Sequence, residues 1–274
     1  MKNRKNPSLS VIMGIYNEKN LTQVKAAIDS ILNQAWDDFE FIICDDGSDK
    51  SLYNWLCKYC QKNSRIQIIR NKSNMGLAMT LNHCLKYAKG KYIARMDADD
   101  ISVPERFEKQ IHFLEKNTEY AMVGSNARLI DEENIWGRRI MPEKPEKKDF
   151  LKNSPFIHPS MVFRADALRQ LHGYSNQNYA LRTEDYELFM RAYSMGMRGY
   201  NLQECLILYR EDKNAYKKRK YRYRICEYHV RKKGFQSLGI YKGNFRYVVK
   251  PLIVGLIPKG MLRLLKFRIG KKQL

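Results

Sequence analysis

The amino-acid sequence predicts an α/β fold: a mostly parallel sheet flanked by helices, followed by a basic helical C-terminal extension. Three observations predict it. Short apolar runs alternate with helical periodicities four times within the first hundred residues. Three of the four runs stop at acidic or polar residues, where strands of open α/β sheets meet their ligands. Charge is segregated: residues 210–274 hold 20 Lys/Arg against 3 Asp/Glu, so only +4 of the formal +21 belongs to residues 1–209.

Each element follows in order. Residues 1–7 form a basic tail. Leu9 to Ile15 is an apolar run ended by Tyr16-Asn17-Glu18, and reads as a buried strand and loop. Val24, Ala27, Ile28, Ile31 and Leu32 share one helical face. Phe39 to Cys44 is a strand stopped by Asp45-Asp46-Gly47-Ser48, and Leu52, Trp55, Leu56, Tyr59 and Cys60 restore the helical spacing. Ile66 to Ile69 is a third strand, ended by Asn71 to Asn74. Leu77, Leu81, Leu85 and Ala88 mark a helix closed by Gly90, and Tyr92 to Met96 is a fourth strand running into Asp97-Ala98-Asp99-Asp100. Beyond it the pattern loosens. Pro104 suits the first turn of a helix bearing Phe107, Ile111 and Leu114. Ala121–Gly124 and Met161–Arg164 read as strands, Pro142 to Pro145 as an exposed loop, and Thr183 as the N-cap of a helix with Leu188, Phe189 and Ala192.

With 44% hydrophobic and 29% charged residues, 274 residues can bury a core, which excludes a disordered chain. No apolar run approaches the roughly 20 residues of a spanning helix, and Pro251–Pro258 is far shorter. No signal-peptide run follows the basic N-terminus, so the six cysteines are expected to be reduced thiols in a cytoplasmic protein. Cys57-x-x-Cys60 lacks a second ligand pair for zinc, and Cys60 is expected to pack with Leu52, Leu56 and Tyr59.

If the sheet is parallel, Tyr16-Asn17-Glu18, Asp45-Asp46 and Asp97 to Asp100 share one edge. Three carboxylates within four residues are unfavourable unless a cation or solvent relieves them. A hard divalent ion shared with phosphate oxygens does so; the competing account is a solvated loop with an aspartate capping the next helix. Asp45-Asp46-Gly47-Ser48 is equally ordinary turn chemistry. Neither G-x-G-x-x-G after the first strand nor a P-loop is present, which weakens a dinucleotide or P-loop reading.

These residues carry a resemblance. Leu9 to Glu18, Phe41 to Ser48, Asn74-x-Gly76-Leu-Ala78, Asp97-Ala98-Asp99-Asp100 and Glu184-Asp185 resemble the ordered motif series of family-2 glycosyltransferases with the GT-A fold, over residues 8–212. The resemblance implies a nucleotide-binding half (8–100), an acceptor half (101–212) and a basic amphipathic segment (213–274). It implies that Tyr16 lies beside the nucleotide base with Glu18 bordering the pocket, and that Asp46, next to Asp45, meets a uracil-like base edge. Asn74 and Gly76 would line the phosphates. Asp97, Ala98 and Asp99 would form the D-x-D element that holds the ribose and a Mn²⁺ or Mg²⁺, with Asp97 and Asp99 as metal ligands. Asp185 would be the catalytic base of an inverting transfer from a nucleotide sugar, expected to be UDP-linked, to a glycan or lipid-linked acceptor. Its other account is a first-turn acid favoured by the helix dipole. Glu184 and His158 fall on the acceptor side, although His158 could equally be a core histidine. Arg182 and Arg191 flank the acidic pair and read as solvated. Gly14 departs from the Thr or Pro frequent at that place, and no Q-x-x-R-W of processive membrane synthases occurs.

The basic C-terminus interleaves arginines and lysines with tyrosines over Lys217–Arg224, which can serve single-stranded nucleic acid or an anionic membrane. Met261, Leu262, Leu264, Leu265 and Ile269 lie on one helical arc, with Arg263 and Lys266 opposite. That pattern favours in-plane attachment to the inner face of the membrane over a nucleic-acid partner, which is not expected; the alternative is a helix docked on the protein's own core. A sugar nucleotidyltransferase is the competing enzyme class, but its Gly-rich, basic loop after the first strand is missing.

Overall fold

The computed structural model describes residues 6–132, 134–211 and 220–257. The N-terminal half is a regular alternation: β1 (Leu9–Ile15), α1 (Leu21–Leu32), β2 (Phe39–Asp45), α2 (Lys50–Cys60), β3 (Ile66–Arg70), α3 (Leu77–Leu85) and β4 (Tyr92–Met96). The other half holds β5 (Ile101–Ser102), α4 (Arg106–Lys116), β6 (Met122–Ile130), β7 (Ile135–Arg139), β8 (Val162–Arg164), α5 (Ala165–Gln170), α6 (Glu184–Ser194) and β9 (Gly199–Arg210). Two further helices follow, α7 (Tyr221–Leu238) and α8 (Phe245–Leu256).

All nine strands join one sheet, in the order β3-β2-β1-β4-β8-β6-β9-β5, with β7 added beside β6. The expected parallel arrangement holds for β3, β2, β1 and β4. Past β4 the sheet is mixed: β8 runs antiparallel to both β4 and β6, while β9 runs parallel to β6. The sheet is covered on both faces, which explains the near-continuous apolar runs of its strands. Along β1, Leu9, Val11 and Met13 enter one core layer with α1 and α4, while Ile12 enters the other with α3 and α6.

Local sequence explains several details. Asn20 caps α1, its side chain accepting from the Gln23 amide at 3.2 Å. Thr183 holds the N-cap position of α6 but does not cap it; its hydroxyl donates to Ala180 O at 3.1 Å. α3 ends at Leu85, short of Gly90, where a Cβ would fall 2.5 Å from the Ser10 amide nitrogen. Gly14 is explained by packing: a Cβ there would come within 2.9 Å of Thr80 Cγ2, so α3 rides closely on β1. All six cysteines are free, and Cys60 packs as expected beside Leu52, Leu56 and Tyr59.

Part of the basic extension docks on the protein itself. Val230, Phe235 and Leu238 of α7 are buried against the core, and Arg231 goes in with them. Its guanidinium pairs with Glu227 and donates to Leu151 O, Lys152 O and Tyr247 O, so the buried charge is fully partnered. The amphipathic pattern over residues 261–269, and Lys217 to Arg219 of the basic run, lie outside the described residues. No described helix is long and apolar enough to cross a membrane.

Candidate active site

Parallel pairing sets the site. Ile15 lies opposite Asp45, Asp45 opposite Arg70, and Met13 opposite Met96, so the residues after β1, β2, β3 and β4 gather at one sheet edge. Asp45 is buried and pairs with Arg70 Nε at 3.0 Å. Arg70 in turn stacks over the Tyr53 ring and donates to Ser48 O. Two loops are stitched together here: the Asn17 amide donates to Ser48 Oγ, and Asn17 Oδ1 accepts from the Asp49 amide, both at 2.9 Å. Asn17 adopts φ 44°, a left-handed backbone that asparagine tolerates. Tyr16 is left exposed beside them.

Asp46 works inward. Its carboxylate accepts from the Met75 and Gly76 amides at 2.9 Å and from Asn71 Nδ2 at 2.8 Å, so it fixes the turn that contains Asn74. Asn71 is itself held by Thr80 Oγ1 and His83 Nδ1. Gly76 turns with φ 85° in open space, whereas Gly47, at φ 73°, also lies so close to Ser73 that a Cβ would meet its backbone at 2.6 Å. Asp46 therefore serves this edge as the anchor of the turn that carries Asn74 and Gly76.

Asp97, Asp99 and Asp100 present carboxylate oxygens within 4.8 Å of one another. Asp100 is buried; one oxygen accepts from the Arg210 amide at 2.7 Å and Oδ2 has no partner. Arg210 Nε also donates to Asp99 O, so the end of β9 clamps the acidic turn. Burial, with the Asp97 and Glu18 charges, pushes Asp99 up to about 7. An orphaned oxygen and mutually repelling carboxylates are what a hard cation relieves, so these residues fit a divalent ion.

The residues around His158, Tyr174 and Asp185 lie within the field of Arg95, a residue the sequence does not single out. It is fully buried in β4 and donates to Asp97 Oδ1 at 2.5 Å, while Nε and Nη1 have no partner. Its charge also reaches Tyr174, His158 and Asp185. His158 is buried against Phe189 and shares a 2.9 Å hydrogen bond with the Tyr174 hydroxyl. Burial and then Arg95 hold it well below the usual imidazole range, so it is neutral. Asp185, half-buried at the start of α6, accepts from the Tyr186 amide at 2.7 Å. Desolvation raises its carboxyl, while that amide and Arg95 act in the opposite direction. Arg191 is not a free solvated charge: it pairs with Glu187 and donates to Leu171 O and Gly173 O, bracing the turn that leads to Tyr174.

Glu184 is buried, and burial with the Asp185 charge lifts it from 4.5 to about 7. Its folded-state pKa is raised, so its contribution to stability is full below 4.5 and is lost as pH rises through about 7. Glu184→Gln should flatten the fall in stability across that window by about 3 kcal/mol at most. Urea midpoints at both ends of the window, for parent and variant, measure this; unchanged slopes would contradict it. Asp99 titrates in the same direction, so some slope remains.

A signal for Arg95 did exist: a lone charge inside an apolar strand. Asn71, Thr80 and Arg210 left no signal, because their roles depend on contacts between elements far apart in sequence.

With this geometry in hand, comparison with known proteins gives a consistent set of likenesses. A family model described as Glycosyl transferase family 2 matches residues 10–171. The putative glycosyltransferase EpsE of Bacillus subtilis is 42% identical over 258 residues, covering 93% of this chain and 92% of that one. The O-antigen biosynthesis glycosyltransferase WbnJ of Escherichia coli is 32% identical over 80% of this chain and 85% of its own. Among solved structures, residues 1–349 of S. aureus TarS with UDP-GlcNAc match with a TM-score of 0.66 at 15% identity, over 95% of this chain and 79% of that one. The mannosyltransferase PcManGT of Pyrobaculum calidifontis with GDP-Man and Mn²⁺ matches with a TM-score of 0.62 at 15% identity, over 98% and 84%. At such identities the structural likeness concerns the fold.

Proposed function

From the premise that the chain belongs to glycosyl transferase family 2 and is a glycosyltransferase, we propose that it is an inverting, metal-dependent enzyme that moves one sugar from a UDP-linked donor to an acceptor hydroxyl. The observation that carries this reading is the clustered carboxylates of the acidic turn Asp97 to Asp100, with Asp97 paired to the buried Arg95, whose charge also acts on Asp185. The acceptor is a glycan or lipid-linked saccharide of surface polysaccharide synthesis, used at the cytoplasmic face of the membrane. A relative named as a glucosyltransferase acting on a GlcNAc-diphosphoundecaprenol, 34% identical over 53% of this chain, supports that class.

Asp97 and Asp99 would hold a Mn²⁺ or Mg²⁺ ion, which when bound would supply Lewis-acid stabilisation of the diphosphate leaving group. Tyr16, Glu18 and the Asn74–Gly76 turn border the nucleotide, with Asp45 and Asp46 fixing the loops around it. Asp185 accepts the proton from the acceptor hydroxyl as that oxygen attacks the anomeric carbon from the face opposite the diphosphate. One displacement inverts the centre, with no covalent enzyme intermediate. His158 and Tyr174 support that wall of the site as a neutral pair, and Glu184 stands beside the base.

Calorimetric titration of UDP, GDP and CDP, with Mn²⁺ and then with EDTA, tests the reading. UDP should bind only with metal, and Asp99→Ala should weaken it on the order of 100-fold, the upper range for disturbing a metal site. Failure of all three nucleotides to bind a folded sample would overturn it, and tight GDP binding would move the donor class.

A further inference from the structure

The outer side of α8 carries an apolar surface for which the described fold has no use. Val248 and Pro251 point inward and are buried. On a second arc of the same helix, Phe245, Ile253 and Leu256 are 54%, 59% and 75% exposed. Gly255 brings this end of α8 onto the first turn of α7, where a Cβ would lie 2.8 Å from the Tyr221 ring. Tyr221 and Ile225, one helical turn apart, are exposed there too. Single exposed apolar residues are ordinary, but a cluster of them on two packed helices marks an interaction surface.

The charge around this surface has one sign. Residues 220–257 carry nine Lys/Arg and one acid, and that acid, Glu227, is engaged by Arg224 and Arg231. Residues 258–274 add six Lys/Arg and no acid. A protein partner is disfavoured by this balance, since interface cores are depleted of lysine. An anionic bilayer takes both features together, apolar side chains at the headgroup boundary and basic ones at the phosphates.

The same helices reach the acceptor side of the site. Cys226 Sγ donates to Asn178 O at 3.5 Å, the Lys233 ammonium lies 3.7 Å from the Tyr179 ring centroid, and Arg182 lies over the Tyr223 ring. Residues 178–182 run directly into Glu184 and Asp185.

We propose that the outward face of α7 and α8 docks on an anionic lipid surface and thereby holds the 178–185 segment next to acceptors carried in that surface. The second clause rests on the lipid-linked acceptor reading; the docking itself does not. Full-length protein is co-sedimented with vesicles of phosphatidylcholine alone and of phosphatidylcholine with about one third phosphatidylglycerol. Binding should be confined to the anionic vesicles and fall with salt. The double variant Ile253→Glu/Leu256→Glu should lose at least about tenfold in partitioning, with its thermal midpoint and its UDP binding unchanged. Absence of binding by the parent protein, or binding that survives the double variant, overturns the proposal. So does a concentration-dependent dimer that the double variant abolishes, which would make the surface a contact between copies. Loss of UDP binding by the parent protein would instead defeat the transferase reading, whatever the vesicles show.

Discussion

Asp185→Asn should lower the turnover number by about 10³-fold, within the usual range for removing a general base, and leave UDP affinity nearly unchanged. The substitution keeps the shape of the side chain and an oxygen to accept the Tyr186 amide, so α6 retains its first turn. What disappears is the ability to take a proton from the acceptor. Asp185 is half-buried at the start of α6, whereas the loops after β1 and β2 are held by Asp45 and Asp46. A loss confined to turnover, measured alongside calorimetric UDP binding, fits the base role. Equal loss of both would remove Asp185 from that role and make it a structural acid of the α6 N-terminus.

The second large effect should come from Arg95→Met. Met replaces much of the buried volume but none of the charge. Arg95 is the buried cation shared by Asp99, Asp100, Glu184 and Asp185, lowering them against their burial alongside backbone amides and, for Glu184, Arg182. Without it these carboxyls either repel one another or take up protons. The sign follows: the variant should be destabilised at pH 8, by about 3 kcal/mol, the lower range for breaking a buried pair, and less at pH 5, where Asp99 and Glu184, each lifted to about 7, are already protonated. Arg95→Lys should recover much of the stability, because the charge remains. It should not recover transfer, because an ammonium group does not reproduce the planar guanidinium that meets Asp97. Denaturant midpoints at both pH values, with initial rates, check the three proteins together. Equal destabilisation at both pH values would show that Arg95 matters by packing alone.

Much of the nucleotide-side half was legible because its signals are local. The continuous apolar run of β1 and helical spacing in α1 and α2 are written in consecutive residues, and parallel pairing then brings their ends together. The placement of Asp97, Asp99 and Asp100 followed from the same logic. The acceptor half was harder to read. β9 spans twelve residues and pairs along β6 with two register shifts, a regularity absent from its mixed polar sequence. Arg231 opens a basic run, Arg231-Lys-Lys233, that suggests an anionic partner, yet it is buried, because carbonyls from two distant segments converge on it. Arg95 is the sharpest case: its meaning depends on β4, the turn at His158 and the 174–185 segment meeting, and no spacing in the chain records that meeting.

The join between β4 and β8 has an evolutionary consequence. Only three residue pairs link these strands: Tyr92 with Arg164, Ile93 with Phe163, and Ala94 with Val162. Arg106 reinforces the joint from the far side, donating to Arg95 O at 2.9 Å and Met161 O at 3.4 Å. A descendant that exchanges everything after Asp100 for another lineage's sequence must rebuild those rungs and that buried arginine, together with the Gln34 contacts to Ser102 and Val103, the Asn82–Tyr174 contact and the Arg210 clamp on Asp99 and Asp100. The same short seam is where a laboratory chimera should be spliced.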